Sequence, residues 1–220
     1  MPPFSSVSYW DDRYQEETEK EWYVGWPQLQ AVWNAILRRV RLLGAEKQMK
    51  AIVVGNGVSR VAEELAAFLA PTCYVYGLDY SDIATQTMQS THAHLPAKVQ
   101  QVLSYVTADC TRLGPDWPDR GVELIIDKGT LDALLAGDDE PAARRLIEES
   151  FRVLAFGGFY LLASYSEWED REVFFPKKHW EMVSQESISG AKGGNFFAYA
   201  LRRLQTERDG SWKKKMDSDY

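Results

Sequence analysis

The feature that most constrains this chain is a short apolar run, Ala51-Ile52-Val53-Val54, that breaks directly into Gly55-Asn56-Gly57. A β-branched run cut off by two glycines reads as a buried strand turning straight into a helix. Ser59 is placed to cap that helix over residues 60–69, with Glu63 and Glu64 in its first turn and Pro71 closing it. The same alternation recurs downstream. Residues 74–79 read as a second strand, 81–94 as a helix, 102–108 as a third strand, 122–127 as a fourth, 141–154 as a helix and 159–163 as a fifth strand. Ahead of the first strand, Leu29, Val32, Trp33, Ile36, Leu37, Val40 and Leu43 fall at helical spacing. Residues 180–188 and 195–203 alternate like a terminal antiparallel pair. The expected fold is therefore α/β: a Rossmann-like, seven-stranded, mostly parallel sheet with helices on both faces and a C-terminal antiparallel strand pair. Its 220 residues suit one domain over residues 1–206, preceded within it by an aromatic lead segment over 1–25 and followed by a polar, mobile tail over 207–220.

Composition removes several classes. The formal net charge of −7 argues against a duplex nucleic-acid partner, which normally meets a basic face. Cys73 and Cys110 are the only cysteines and lie in separate apolar runs, so they read as small buried hydrophobes in a reducing compartment rather than a disulfide. No Cys/His cluster accompanies them, so no metal is expected. The first residues lack a signal-peptide or transit pattern and no apolar stretch approaches a membrane span, which makes the cytoplasm the expected location.

In an open α/β sheet ligands bind beyond the carboxyl ends of the strands, near the point where the strand order reverses. Gly55 and Gly57 end the first strand, where the absence of Cβ atoms lets a ligand approach the backbone. A nicotinamide enzyme would prefer a third glycine, and Arg60 stands there instead. Asp79 ends the second strand, 22 positions beyond Gly57, and can accept both ribose hydroxyls of an adenosine; capping the next helix is its alternative duty, although Ser81 is available for that. Asp109 ends the third strand and can accept from an adenine amino group, or else cap a turn before Thr111. Tyr80 and Cys110 would flank the ring. Together these point to an adenosine cofactor without a phosphate. Asp127-Lys128 ends the fourth strand, either as a loop-organising pair or as chemistry over the cleft.

The stretch Asp127–Leu135, DKGTLDALL, resembles the signature of the elongation factor 1-alpha lysine methyltransferases, the group of methyltransferase-like 13 and its relatives. YWDDRY at 9–14, HAHLP at 92–96 and RVLAFGGFYLL at 152–162 are similar to the same group in matching order, across roughly residues 8–165. The resemblance implies a seven-strand fold, S-adenosylmethionine as cofactor and a protein lysine as acceptor, elongation factor 1-alpha among the partners. It places cofactor contacts on Trp10, Tyr14, Trp22, Gly55, Asp79, Tyr80, Asp109, Cys110 and Lys128, with the N-terminal aromatics forming a lid. The chain departs from the family at its turn, GNGVS where GCGNS is usual, and in carrying Asp127 where Glu is frequent. Position at the strand ends makes Asp127, with Tyr165 on the fifth strand, the candidate for steering the acceptor amine. A small-molecule methyltransferase and a non-catalytic cofactor-binding scaffold share these cofactor residues; a nucleotide-dependent oxidoreductase fits least.

Overall fold

The computed structural model describes residues 2–190 and 194–205, so the tail expected over 207–220 lies outside the described residues. In chain order the elements are α1 (Val7–Glu16), α2 (Trp26–Gly44), β1 (Met49–Val54), α3 (Val61–Leu69), β2 (Cys73–Asp79), α4 (Asp82–His92), α5 (Ala97–Gln100), β3 (Leu103–Thr107), β4 (Val122–Lys128), α6 (Thr130–Ala136), α7 (Glu140–Val153), β5 (Leu154–Ser164), β6 (Trp180–Ser189) and β7 (Asn195–Arg203). Two short turns of tighter helix, Trp168–Asp170 and Glu172–Phe174, lie between β5 and β6.

The seven strands form one sheet in the order β3-β2-β1-β4-β5-β7-β6. The first five are parallel, and β7 inserts antiparallel between β5 and β6. Because side chains alternate across a strand, each central strand feeds two cores. Ala51, Val53, Leu124 and Ile126 face one core with the buried stripe Leu29, Trp33, Ile36 and Leu37 of α2; Ile52, Val54, Ile125 and Tyr160 face the other with Leu146 and Ile147 of α7. Helices thus cover both faces. The order reverses between β1 and β4, so the strand ends Val54 and Asp127, paired in register, border the crevice where a ligand is expected.

The structure differs from the sequence reading in three places. The lead segment contains a helix, α1, whose Trp10 and Tyr14 are buried at i,i+4 on one face. β5 begins at Leu154: its pairing with β4 jumps from Val122↔Leu154 to Leu124↔Phe159, and this irregularity hides the strand's start in the glycine-containing run before Phe159. Helix α3 starts at Val61 with Arg60 as its cap position. Ser59 Oγ still accepts from Val61 N, but the N–H of Arg60 is accepted by the side chain of Glu21, 39 residues earlier. No helix among the described residues is long and apolar enough to cross a membrane.

Candidate functional site

A cavity of about 330 Å³ opens at the carboxyl ends of β1, β2 and β4, and all ten cofactor positions expected from the sequence border it: Trp10, Tyr14, Trp22, Gly55, Gly57, Asp79, Tyr80, Asp109, Cys110 and Lys128. That volume is within the range of small-molecule sites, about 300–1,000 Å³. Gly57 takes φ +51°, and a Cβ there would come within 2.5 Å of the Tyr14 hydroxyl, so the glycine is what lets α1 close over the turn.

Asp79 is the polar centre of this half. Its Oδ2 accepts from Gly57 N at 2.8 Å and its Oδ1 from Ser81 N at 2.9 Å. Ser81 also caps α4 by accepting from Ala84 N, so Asp79 is released from that duty. Burial pushes the Asp79 carboxyl up to about 6, against the pull of those backbone donors, with Asp11 nearby reinforcing the rise. Asp109 is exposed and spends Oδ1 on the N–H and hydroxyl of Thr111, at 2.8 and 2.7 Å, while still bordering the cavity. Cys110 is buried beside it as a free thiol, raised to about 12 by desolvation. Trp10 stacks on Tyr14 at 5.6 Å and meets Trp22 edge-on at 6.0 Å, forming an aromatic roof. The Arg13 guanidinium lies 4.7 Å from the ring centre of Trp22.

Lys128 has a different immediate partner from the one expected. Its buried ammonium donates to Glu21 Oε2 at 2.7 Å and to the carbonyl of Trp22 at 3.1 Å. Burial lowers its pKa and Glu21 opposes that. Glu21 in turn accepts from Ser59 Oγ and Arg60 N. One carboxylate therefore ties the lead segment to the end of β4 and to the start of α3, holding the roof over the glycine turn.

The expectation for Asp127 needs correction. Asp127 is fully buried and does not border the cavity. Its Oδ1 accepts from Thr130 N at 2.8 Å, and its Oδ2 from Leu131 N at 3.2 Å and the Tyr160 hydroxyl at 2.7 Å. It caps the start of α6 and anchors the Tyr160 hydroxyl. Desolvation raises it to about 7. Tyr165, by contrast, borders the cavity and is 47% exposed.

Residues 52–162 match the family model described as "Methyltransferase domain", which is half of the chain. The chain belongs to this methyltransferase family. It is 28% identical over 169 residues to the "eEF1A lysine and N-terminal methyltransferase" of Bos taurus, covering 74% of this chain and 22% of that protein. It is also 28% identical to the "EEF1A lysine methyltransferase 4" of Mus musculus, covering 72% of this chain and 60% of that one. The chain thus spans about a fifth of the length of the first relative. Among solved structures it resembles the N-methyltransferase NodS from Bradyrhizobium japonicum, crystallised with S-adenosyl-l-homocysteine, at TM-score 0.58 and 14% identity, covering 93% of this chain and all of that one. The cofactor that this family membership calls for is S-adenosylmethionine, and the glycine turn, buried acid and aromatic roof are a cradle of the right kind for it.

The sequence reading missed a second cluster, on the β4–β5 side of the cavity. Asp132 of α6 is 1% exposed, and its carboxylate accepts from Tyr23 OH at 2.9 Å, Ser164 Oγ at 2.7 Å, Tyr165 N at 2.9 Å and the Arg171 guanidinium at 2.7 Å. Asp132 stood inside DKGTLDALL, and its signal was a charged residue among apolar helix positions. Nothing local marks Tyr23 and Arg171, because their partner is 109 and 39 residues away. Glu21 was missed for the same reason.

Proposed function

We propose that this methyltransferase uses S-adenosylmethionine to methylate a lysine side chain of a protein, with elongation factor 1-alpha as the first acceptor to test. The observation that carries the reading is the convergence of all ten expected cofactor positions on one cavity. Support for the acceptor comes from the DKGTLDALL and YWDDRY segments and from the names of the two relatives.

In this reading Asp79 accepts the ribose hydroxyls with its remaining lone pairs, since each oxygen holds one backbone donor. Oδ2 of Asp109 accepts the adenine amino group while Oδ1 keeps the turn, and Tyr80 and Cys110 flank the ring. Trp10, Tyr14 and Trp22 exclude water from above. When bound, the cofactor supplies a methyl group on a cationic sulfur, open to attack by an amine lone pair. A free lysine ammonium, with a pKa of about 10.4, has no lone pair to offer. The apolar walls of the cavity favour its neutral form, and orientation of the amine supplies much of the rate. Tyr165, at the cavity wall, is the residue that contacts the incoming chain. Buried, unpaired Cys73 and Cys110 suit a reducing compartment, and we place the protein in the cytoplasm.

Tritiated S-adenosylmethionine incubated with the purified protein and a cell extract tests this. Label on a protein of the size of elongation factor 1-alpha, recovered on lysine, is the expected result. Label confined to small metabolites contradicts it.

A further inference from the structure

The Asp132 cluster has no task in the cofactor half of the cavity. Its four partners come from three separate parts of the chain: Tyr23 from the lead segment, Ser164 and Tyr165 from the end of β5, and Arg171 from the turns that follow. Asp132 sits between them on α6, with Arg171 Nη2 at 2.7 Å and both side chains almost fully buried. Both carboxylate oxygens are engaged by these groups. Asp132 is a junction.

What the junction holds is aromatic. Tyr23 and Tyr165 meet edge-to-face with ring centres 6.2 Å apart, and Tyr23 stacks on Phe196 of β7 at 5.0 Å. Tyr23 adopts φ +65°, a left-handed conformation that costs a bulky residue about 1–3 kcal/mol and persists only where the surroundings enforce it. Gly129 opposite has φ +86°, and a Cβ there would stand 2.9 Å from the Tyr23 ring. The chain thus spends a strained tyrosine and a glycine to set one ring on the β4–β5 side of the cavity, whereas Asp79 and Asp109 follow β2 and β3 on the other side of β1. Tyr23, Gly129, Asp132 and Tyr165 all border the cavity there.

We propose that Asp132 is a positioning residue that sets the Tyr23 and Tyr165 rings as the walls of an acceptor channel, selecting an unbranched alkyl chain ending in an amine. Aromatic walls give apolar contact to such a chain and cation–π attraction to its ammonium as it arrives. This rests on the lysine reading above. It goes further in separating two halves of one cavity: cofactor affinity depends on Asp79 and the roof, acceptor affinity on Asp132.

Tyr23→Phe tests this with little risk to folding, because it keeps the ring and its stack on Phe196 and removes only the hydroxyl held by Asp132. Asp132→Asn is the harsher second variant. With purified elongation factor 1-alpha as acceptor, Tyr23→Phe raises the acceptor KM about tenfold while the S-adenosylmethionine Kd, measured by calorimetry, stays at the wild-type value. An unchanged KM, or equal losses in both constants, overturns the proposal. Amide hydrogen exchange on the protein bound to S-adenosylhomocysteine reads the junction without turnover: exchange at residues 23–24 and at Tyr165 N accelerates in Tyr23→Phe while β1 and β4 stay protected. If wild-type enzyme methylates no protein, the lysine reading fails; unaltered exchange in Tyr23→Phe refutes the junction on its own.

Discussion

Two carboxylates at strand ends, Asp79 and Asp127, looked alike in the sequence and have opposite fates. Asp79 keeps one face towards the cavity, whereas Asp127 spends its oxygens on α6 and Tyr160. Strand-end position was legible for both; which way each side chain turned was not, because that depends on Tyr160, 33 residues away. Burial raises the two to about 6 and about 7. A raised carboxylate pKa means that the folded chain holds a proton the unfolded chain releases from about pH 4 upward. The contribution of each to stability is therefore complete below about pH 4 and is lost as pH rises through the folded value. Urea midpoints should fall between about pH 4 and 7, and Asp127→Asn should flatten that slope. At pH 6 this variant should also cost about 1–3 kcal/mol from the disturbed Tyr160 hydrogen bond, leaving cofactor affinity unaltered. A loss of cofactor binding in Asp127→Asn would return it to the site. Asp79 must be ionised to serve two ribose hydroxyls, so S-adenosylmethionine should bind more weakly as pH drops through 6, and Asp79→Asn should remove that dependence. Calorimetry at a series of pH values reads both.

At the scale of elements, the strands and the long helices α2, α3, α4 and α7 were readable because each is a periodic pattern in its own residues. The lead segment was not. Its helix α1 is short and packs on α4, and the stretch after it is tied down by Glu21, which joins β4 through Lys128 and α3 through Arg60. The two partners of this ion pair are unequally buried, with the Lys128 side chain 4% exposed and that of Glu21 30%. Glu21→Ala leaves the buried ammonium only the Trp22 carbonyl and removes the acceptor of the Arg60 N–H, at a cost of about 3 kcal/mol. Lys128→Met leaves a carboxylate that still serves Ser59 and Arg60 and reaches water, so it should cost less. Chemical denaturation of both variants measures the difference; the reverse order would show that the lead segment is held by its aromatic packing instead. Both should weaken S-adenosylmethionine binding by loosening the roof.

Across the whole molecule, the seven-strand topology places the β1–β4 reversal, the glycine turn and the aromatic roof around one cavity. The α/β class followed from the alternation of periodic strands and helices, and Asp79 and Asp109 stood out at strand ends. Trp10, Tyr14, Trp22 and Lys128 entered only through the family resemblance, and the Asp132 cluster needed the β5–β6 connection folded against α6, a contact no local pattern encodes. A ligand at about 100 times its Kd stabilises a protein by about 2.7 kcal/mol. For a domain of this size that raises the melting temperature by roughly 5–10 °C, and S-adenosylmethionine should do so where NAD does not. The most direct test of the central claim, that this cavity is an S-adenosylmethionine site organised by Asp79, is a calorimetric titration of wild-type protein and Asp79→Ala. One cofactor bound per chain, weakened about 100-fold by loss of the two ribose hydrogen bonds, is the predicted result. Equal affinity in both proteins, or no binding by the wild type, would contradict it.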